Sequence, residues 1–188
     1  MNYKFGVYGD SIAFGYGNNN QSWFDLLSCG NEAIKLAKNG ETISNVLQKI
    51  QKDTNNYETL YIAIGINDLL LPNPINEQKV STNLISQYEE IIKVARLRST
   101  NVVVQSLLPV REDLFPNQDW LDENKWCFNQ DIEGFNKRLK DLCDKYQIKY
   151  IDAYSKFCHL NLSELYIDAV HLNKKGQDKL LFSILHNL

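Results

Sequence analysis

Apolar residues in this chain fall into short continuous runs separated by stretches with helical spacing, and that alternation predicts most of the fold. Tyr3 to Tyr8 reads as a first strand and Ala33 to Leu36 as a second. Leu60 to Ile64 (Leu-Tyr-Ile-Ala-Ile) has the unbroken apolar character of a strand buried on both faces. Asn101 to Leu107 carries three successive valines and is stopped by Pro109, and Ile148 to Ile151 makes a fifth run. Between them, Ser22-Trp23-Phe24-Asp25 has the form of a capping box, so a helix is expected from Ser22 to Ser28. Thr42 to Lys52 places Ile43, Val46, Leu47 and Ile50 at helical intervals, and Glu77 to Arg98 does so with Val80, Leu84, Tyr88, Ile91, Ile92 and Ala95. Asn129 to Tyr146 shows a core face of Ile132, Phe135, Leu139 and Leu142, and a last helix, Asn173 to His186, opens on Asn173 as N-cap. Strand alternating with helix predicts an α/β fold, a three-layer α/β/α sandwich around a five-stranded parallel sheet. No repeat, linker or low-complexity tract interrupts the pattern, so residues 1–188 are expected to form a single domain.

Composition narrows the partners. With 188 residues, 44% of them apolar and 23% charged, the chain is an ordinary globular sequence able to bury about 70% of its unfolded surface. A formal net charge of −3 supplies no basic footprint, and nucleic acid is not an expected partner. No stretch approaches the ~20 apolar residues of a membrane span, and Lys4 and Phe5 enter the first strand with no apolar leader before them. Cys29, Cys127, Cys143 and Cys158 form no C-x-x-C pair, which argues against a zinc ribbon and suits reduced thiols. A cytoplasmic protein is the expectation.

Candidate chemistry sits where strands end. Gly9-Asp10-Ser11 closes the first strand, and open α/β sheets place reactive groups at that edge. Alone, such a tripeptide would serve equally as a turn or a helix cap. A serine hydroxyl needs a general base to become nucleophilic, and the chain offers three histidines. His186 belongs to the last turn of the final helix and reads as a surface residue, and His159, which follows Cys158 after strand five, reads as a structural or surface one. His171 differs, because it precedes the final helix with Asp168 three residues before it. In a turn, residues i and i+3 project to one side, so the carboxylate can take the imidazole Nδ1–H and leave Nε2 free to accept the proton of Ser11.

Two further blocks lie in similar positions. Leu36-Ala37-Lys38-Asn39-Gly40 follows strand two, and Gly65-Ile66-Asn67-Asp68 follows strand three. With Gly9-Asp10-Ser11 and Asp168-Ala169-Val170-His171, this ordered set resembles the SGNH hydrolases, or GDSL esterase/lipase family, over positions 9 to 171. The resemblance implies a flavodoxin-like sandwich and hydrolysis of carboxylic esters through an acyl-enzyme on Ser11, with no metal or organic cofactor needed. His171 and Asp168 would complete the triad. The backbone N–H groups of Ser11 and Gly40, with the Asn67 side chain, would form the oxyanion hole. Gly40 is further expected to reject bulky side chains because they would fill the same pocket. Ile12-Ala13 stand where many relatives continue Leu-Thr.

Asp10 and Asp68 read as supports of their own loops rather than as metal ligands, and Gly15-Tyr16-Gly17 lacks the remaining glycines of a phosphate loop. Residues 109–130 form a long connection in which Phe115, Trp120, Trp126 and Phe128 stand among Arg111, Asp113, Asp119 and Asp122. Core packing is one reading of these aromatics. The other is a pocket wall in which Trp120 and Trp126 contact substrate. The substrate expected is a small-molecule or carbohydrate ester with a short acyl or O-acetyl group. A thioesterase or a lysophospholipase would use the same machinery, and a non-catalytic flavodoxin-like binding module would use none of it.

Overall fold

The computed structural model of the chain describes residues 2–70, 77–116, 118–121 and 125–187, without the side chains of 77–82. The side chain of Val80 and the whole of Asp122 therefore lie outside the described residues. Five parallel strands, β1 (Asn2–Gly9), β2 (Ala33–Lys35), β3 (Asn56–Ala63), β4 (Ser99–Gln105) and β5 (Lys149–Ile151), form one sheet in the order β2-β1-β3-β4-β5. The helices are α1 (Ser11–Phe14), α2 (Trp23–Leu27), α3 (Ile43–Lys52), α4 (Ile66–Leu69), α5 (Glu77–Arg98), α6 (Asn129–Tyr146), α7 (Ala153–Cys158) and α8 (Lys174–Leu185).

β3 shows why the sheet needs a layer on each side. Leu60, Ile62 and Ile64 point into a core built with Ile43, Ile50, Tyr88, Ile91, Ile92 and Leu139 of α3, α5 and α6. Tyr61 and Ala63 point the other way, into a core with Trp23, Phe24, Phe157, Leu180 and Ile184 of α2, α7 and α8. This is the period-two geometry of a strand buried on both faces. The expected capping box at Ser22 forms with Asp25, Thr42 makes a second one with Asn45, and Asn173 caps α8 through Gly176 N.

The boundaries that differ have local causes. β3 begins four residues earlier than its apolar run because Asn56 and Tyr57 pair with the start of β1. β4 starts two residues earlier and stops at Gln105. Beyond it the backbone of Leu107 leaves the ladder for a side chain: Asn136 accepts from Leu107 N at 2.9 Å and donates to Leu107 O at 3.0 Å. Ile148 stands between α6 and β5 rather than in the strand, donating its N–H to Cys143 O after Gln147 caps α6 in a left-handed turn at φ 54°.

Asn136 is 6% exposed, so Asn136→Ala should strand two buried backbone groups. The expected cost is about 2–4 kcal/mol, read as a lower urea midpoint at an unchanged slope. A midpoint equal to the wild type's would show that water replaces both bonds.

Candidate active site

The order β2-β1-β3 places the reversal of the chain's winding between β1 and β3, where crevices form at the carboxyl edge. Ser11 follows β1 and Asn67 follows β3. Gly9 allows the sharp exit, since a Cβ there would lie 2.6 Å from Ala13 Cβ and 2.9 Å from Ala63 O. Asp10 then caps α1, accepting from Ile12 N at 2.9 Å, and Ser11 becomes its first residue.

His171 comes from the other end of the chain, on a tight loop closed by a Tyr166–Leu172 bridge and by Ile167 N donating to His171 O at 2.9 Å. Asp168 builds this loop and orients the ring at once. Its Oδ1 accepts from Val170 N at 2.8 Å and His171 N at 2.7 Å, while Oδ2 lies 2.7 Å from His171 Nδ1. His171 Nε2 lies 2.8 Å from Ser11 Oγ, and both residues are about 95% buried. The sequence-predicted Ser11, His171 and Asp168 thus form one chain of hydrogen bonds. An imidazole held this way can accept the serine proton and return it to a leaving group.

The other predicted residues gather beside it. Leu36 N and Lys38 N bond Val7 O and Gly9 O, so the chain beyond β2 stays zipped to β1 as far as the Gly40 turn. Asn67 Nδ2 donates to Glu41 O at 2.8 Å, which fixes the amide while leaving its second N–H unspent. Asp68 ties the Asn67 loop to the same segment: its Oδ2 accepts from Ile43 N at 3.0 Å, an orphan donor at the start of α3. The steric expectation for Gly40 is not met. A Cβ there would meet nothing within 4 Å, and the real constraint is its φ of +73°.

Ser11, Gly40, Asn67 and His171 line one pocket of about 320 Å³ together with Tyr16, Asn39, Thr42, Leu70, Trp120, Leu121 and Lys125. Trp120 meets the His171 ring edge-on at 4.8 Å. Trp126 is not among the lining residues, because its ring stacks on Phe128 and packs against the core. Tyr16, with its ring 4.2 Å from His171, escaped sequence reasoning; its signal was the pair of glycines that turn the chain around it. The 109–130 connection also braces the histidine loop. Arg111 N donates to Ala169 O, Gln118 Oε1 accepts from Ala169 N, and Tyr166 Oη donates to Pro109 O.

Burial sets the carboxylates against one another. For Asp168 burial pushes the pKa upward, but the His171 ring bond and charge and two backbone N–H groups outweigh it, leaving the group below its ordinary value. Asp10 is pushed up to about 7 by burial, with Ile12 N and the His171 charge opposing and Asp68 adding. Asp68 is raised to about 6, again by burial. Among the described residues no three His, Cys, Asp or Glu side chains gather as a metal site requires.

Fold and site together define a hydrolytic enzyme of the α/β class. Residues 7–179 match the GDSL-like Lipase/Acylhydrolase family, and the chain belongs to that family of ester-hydrolysing enzymes, in which a triad and an oxyanion hole are expected features. Solved structures agree on the fold. An acetyl xylan esterase, AlAXEase, superposes with a TM-score of 0.76 at 19% identity, covering 97% of this chain and 98% of its own. The acetylxylan esterase Axe2 from Geobacillus stearothermophilus gives 0.74 at 14%, covering 98% and 93%. A lipolytic protein of the G-D-S-L family from Veillonella parvula gives 0.72 at 18%, covering 99% and 97%. No curated protein matches the chain. No helix among the described residues is long and apolar enough to cross a membrane.

Asp10 yields a pH test. Its folded pKa lies above the unfolded one, so between about pH 4 and pH 7 the folded state holds a proton that the unfolded state has released. Its contribution to stability therefore falls as pH rises through that window. Asp10→Asn keeps the cap oxygen and cannot ionise. Relative to this variant, the wild type should lose about 2–4 kcal/mol between pH 4 and pH 7.5, measured by urea unfolding. A constant difference across that range would mean that Asp10 does not titrate there.

Proposed function

We propose that the enzyme is a serine esterase that removes short acyl groups, O-acetyl above all, from small molecules or carbohydrates, with the whole chain acting as one domain. The observation that carries this reading is the 2.8 Å contact between Ser11 Oγ and His171 Nε2 on the wall of an open pocket. Ser11 attacks the ester carbonyl as its proton passes to His171, whose positive charge Asp168 balances. The oxyanion is met by the N–H groups of Ser11 and Gly40 and by the Asn67 amide. Collapse expels the alcohol with the proton from His171 and leaves the acyl group on Ser11. Water, activated by the same imidazole, then releases the carboxylic acid and restores the hydroxyl. We also infer a cytoplasmic location, where its four widely spaced cysteines would stay as reduced thiols.

The size of the pocket, at the low end of the usual range for ligand sites, favours a small acyl group. Its aromatic wall at Trp120 would suit a sugar ring, and the two acetylxylan esterases sharing the fold point in the same direction.

A fluorophosphonate probe should label the wild type on Ser11 and should not label Ser11→Ala. Turnover should vanish in Ser11→Ala and His171→Ala alike. Labelling at any other residue would end the assignment.

Trp120→Ala tests the alcohol side. Loss of aromatic packing worth about 0.5–1.5 kcal/mol predicts a kcat/KM about 2- to 12-fold lower on an acetylated xylooligosaccharide, with little change on ethyl acetate. Equal losses on both esters would return Trp120 to a packing role.

A further inference from the structure

Ser11 and His171 stand 160 residues apart in sequence and meet across a single hydrogen bond. The helix that carries Ser11 has only four residues, too few to hold a shape without tertiary support. Its end is also irregular. Gly15 takes a left-handed φ of 95°, and Tyr16 N–H, which a continuing helix would aim at Ile12, bonds Ser11 O at 3.0 Å. The Ile12 carbonyl receives its donor from far away: Gln177 Nε2, at 3.0 Å. The same amide uses its oxygen to accept from Trp23 N at 3.0 Å, at the start of α2. Gln177 is 3% exposed and lies in the first turns of α8, six residues after His171.

A second tie runs in parallel. Asn18, just past α1, donates through Nδ2 to Leu172 O at 2.7 Å and to Tyr16 O at 3.1 Å. Leu172 is the residue next to His171. One bond therefore joins α8, the helix that follows the histidine's loop, to the serine's helix, and the other joins the exit of the serine's helix to that loop.

We infer that Gln177 and Asn18 are positioning residues that hold the Ser11 helix in register with His171. This rests on the esterase reading above, and it deepens that reading by naming what maintains the nucleophile–base distance. Neither side chain is among those lining the pocket, so neither should influence substrate binding. Both should influence the step in which the proton moves, where a displacement of about 1 Å can cost about 10²-fold.

The test compares Gln177→Met, which keeps the length and removes both bonds, with Asn18→Asp, which cannot donate to Leu172 O. Leu180→Ala, a core truncation elsewhere on α8, controls for lost stability. Kinetics on 4-nitrophenyl acetate well below every melting temperature should show kcat reduced about 10- to 100-fold in the first two variants, with KM within about twofold of wild type. Leu180→Ala should keep its kcat. In imidazole 15N spectra the His171 Nε2 resonance should move toward its position in Ser11→Ala, where the serine partner is gone. Should Gln177→Met fail to fold, Asn18→Asp, at a half-buried site, decides alone. Wild-type kcat and an unmoved Nε2 resonance in the folded variants would overturn the inference. Retained turnover in Ser11→Ala would instead remove the esterase reading beneath it.

Discussion

Everything in this structure depends on the burial of β3 on both faces. A strand whose alternate side chains are all apolar cannot leave either side of the sheet to water, so helices must cover both. The connections required to deliver those helices run β1 to β2 on one side and β2 to β3 past β1. The reversal opens a crevice between the carboxyl ends of β1 and β3. Ser11 and Asn67 stand at that crevice because each is among the first residues beyond those two strands. The same packing that stabilises the sheet thus builds the floor of the pocket.

The polar groups at the floor are nearly as buried as the core, and burial alone would neutralise the acids. Asp168 escapes because three N–H groups, two from the backbone and one from the imidazole, converge on it. It can therefore remain an anion beside the histidine. Asp10, one residue before the serine, accepts from Ile12 N, but burial outweighs that bond and pushes it toward the neutral form. Two aspartates close to one imidazole are thereby driven in opposite directions, and only the ionised one is hydrogen-bonded to the ring. Asn67 and Asp68 act as a pair of straps from α4 to the segment after β2. They hold the Gly40 turn against the pocket without any contact that a Cβ on Gly40 would disturb.

The long elements were legible in the sequence because their periodicity runs over many residues; α5 and α6 begin and end where the pattern places them. Three short helices were not. α1, α4 and α7 have four to six residues, less than two turns, and no apolar period can declare itself over that length. Of the two tryptophans in the 109–130 connection, Trp120 reaches the pocket and Trp126 turns to Phe128. Nothing local separates them, since both are aromatic residues in an aperiodic segment. Gln177 and Asn18 were equally silent, because a buried amide shows its meaning only through the distant backbone it bonds.

By itself the sequence determined what short-range physics controls: two-sided burial of β3, the caps at Ser22 and Asn173, and the Asp168-to-His171 turn whose carboxylate and imidazole lie three residues apart. The order of the blocks also pointed to Ser11 as the partner of that imidazole. Only the tertiary structure decided how the two ends of the chain meet. The 2.8 Å contact between residues 11 and 171 is a sum of strand register, helix docking and two side-chain ties, each spanning more than 150 residues of sequence. Such distances are fixed by packing among all the elements at once, and no local pattern carries them.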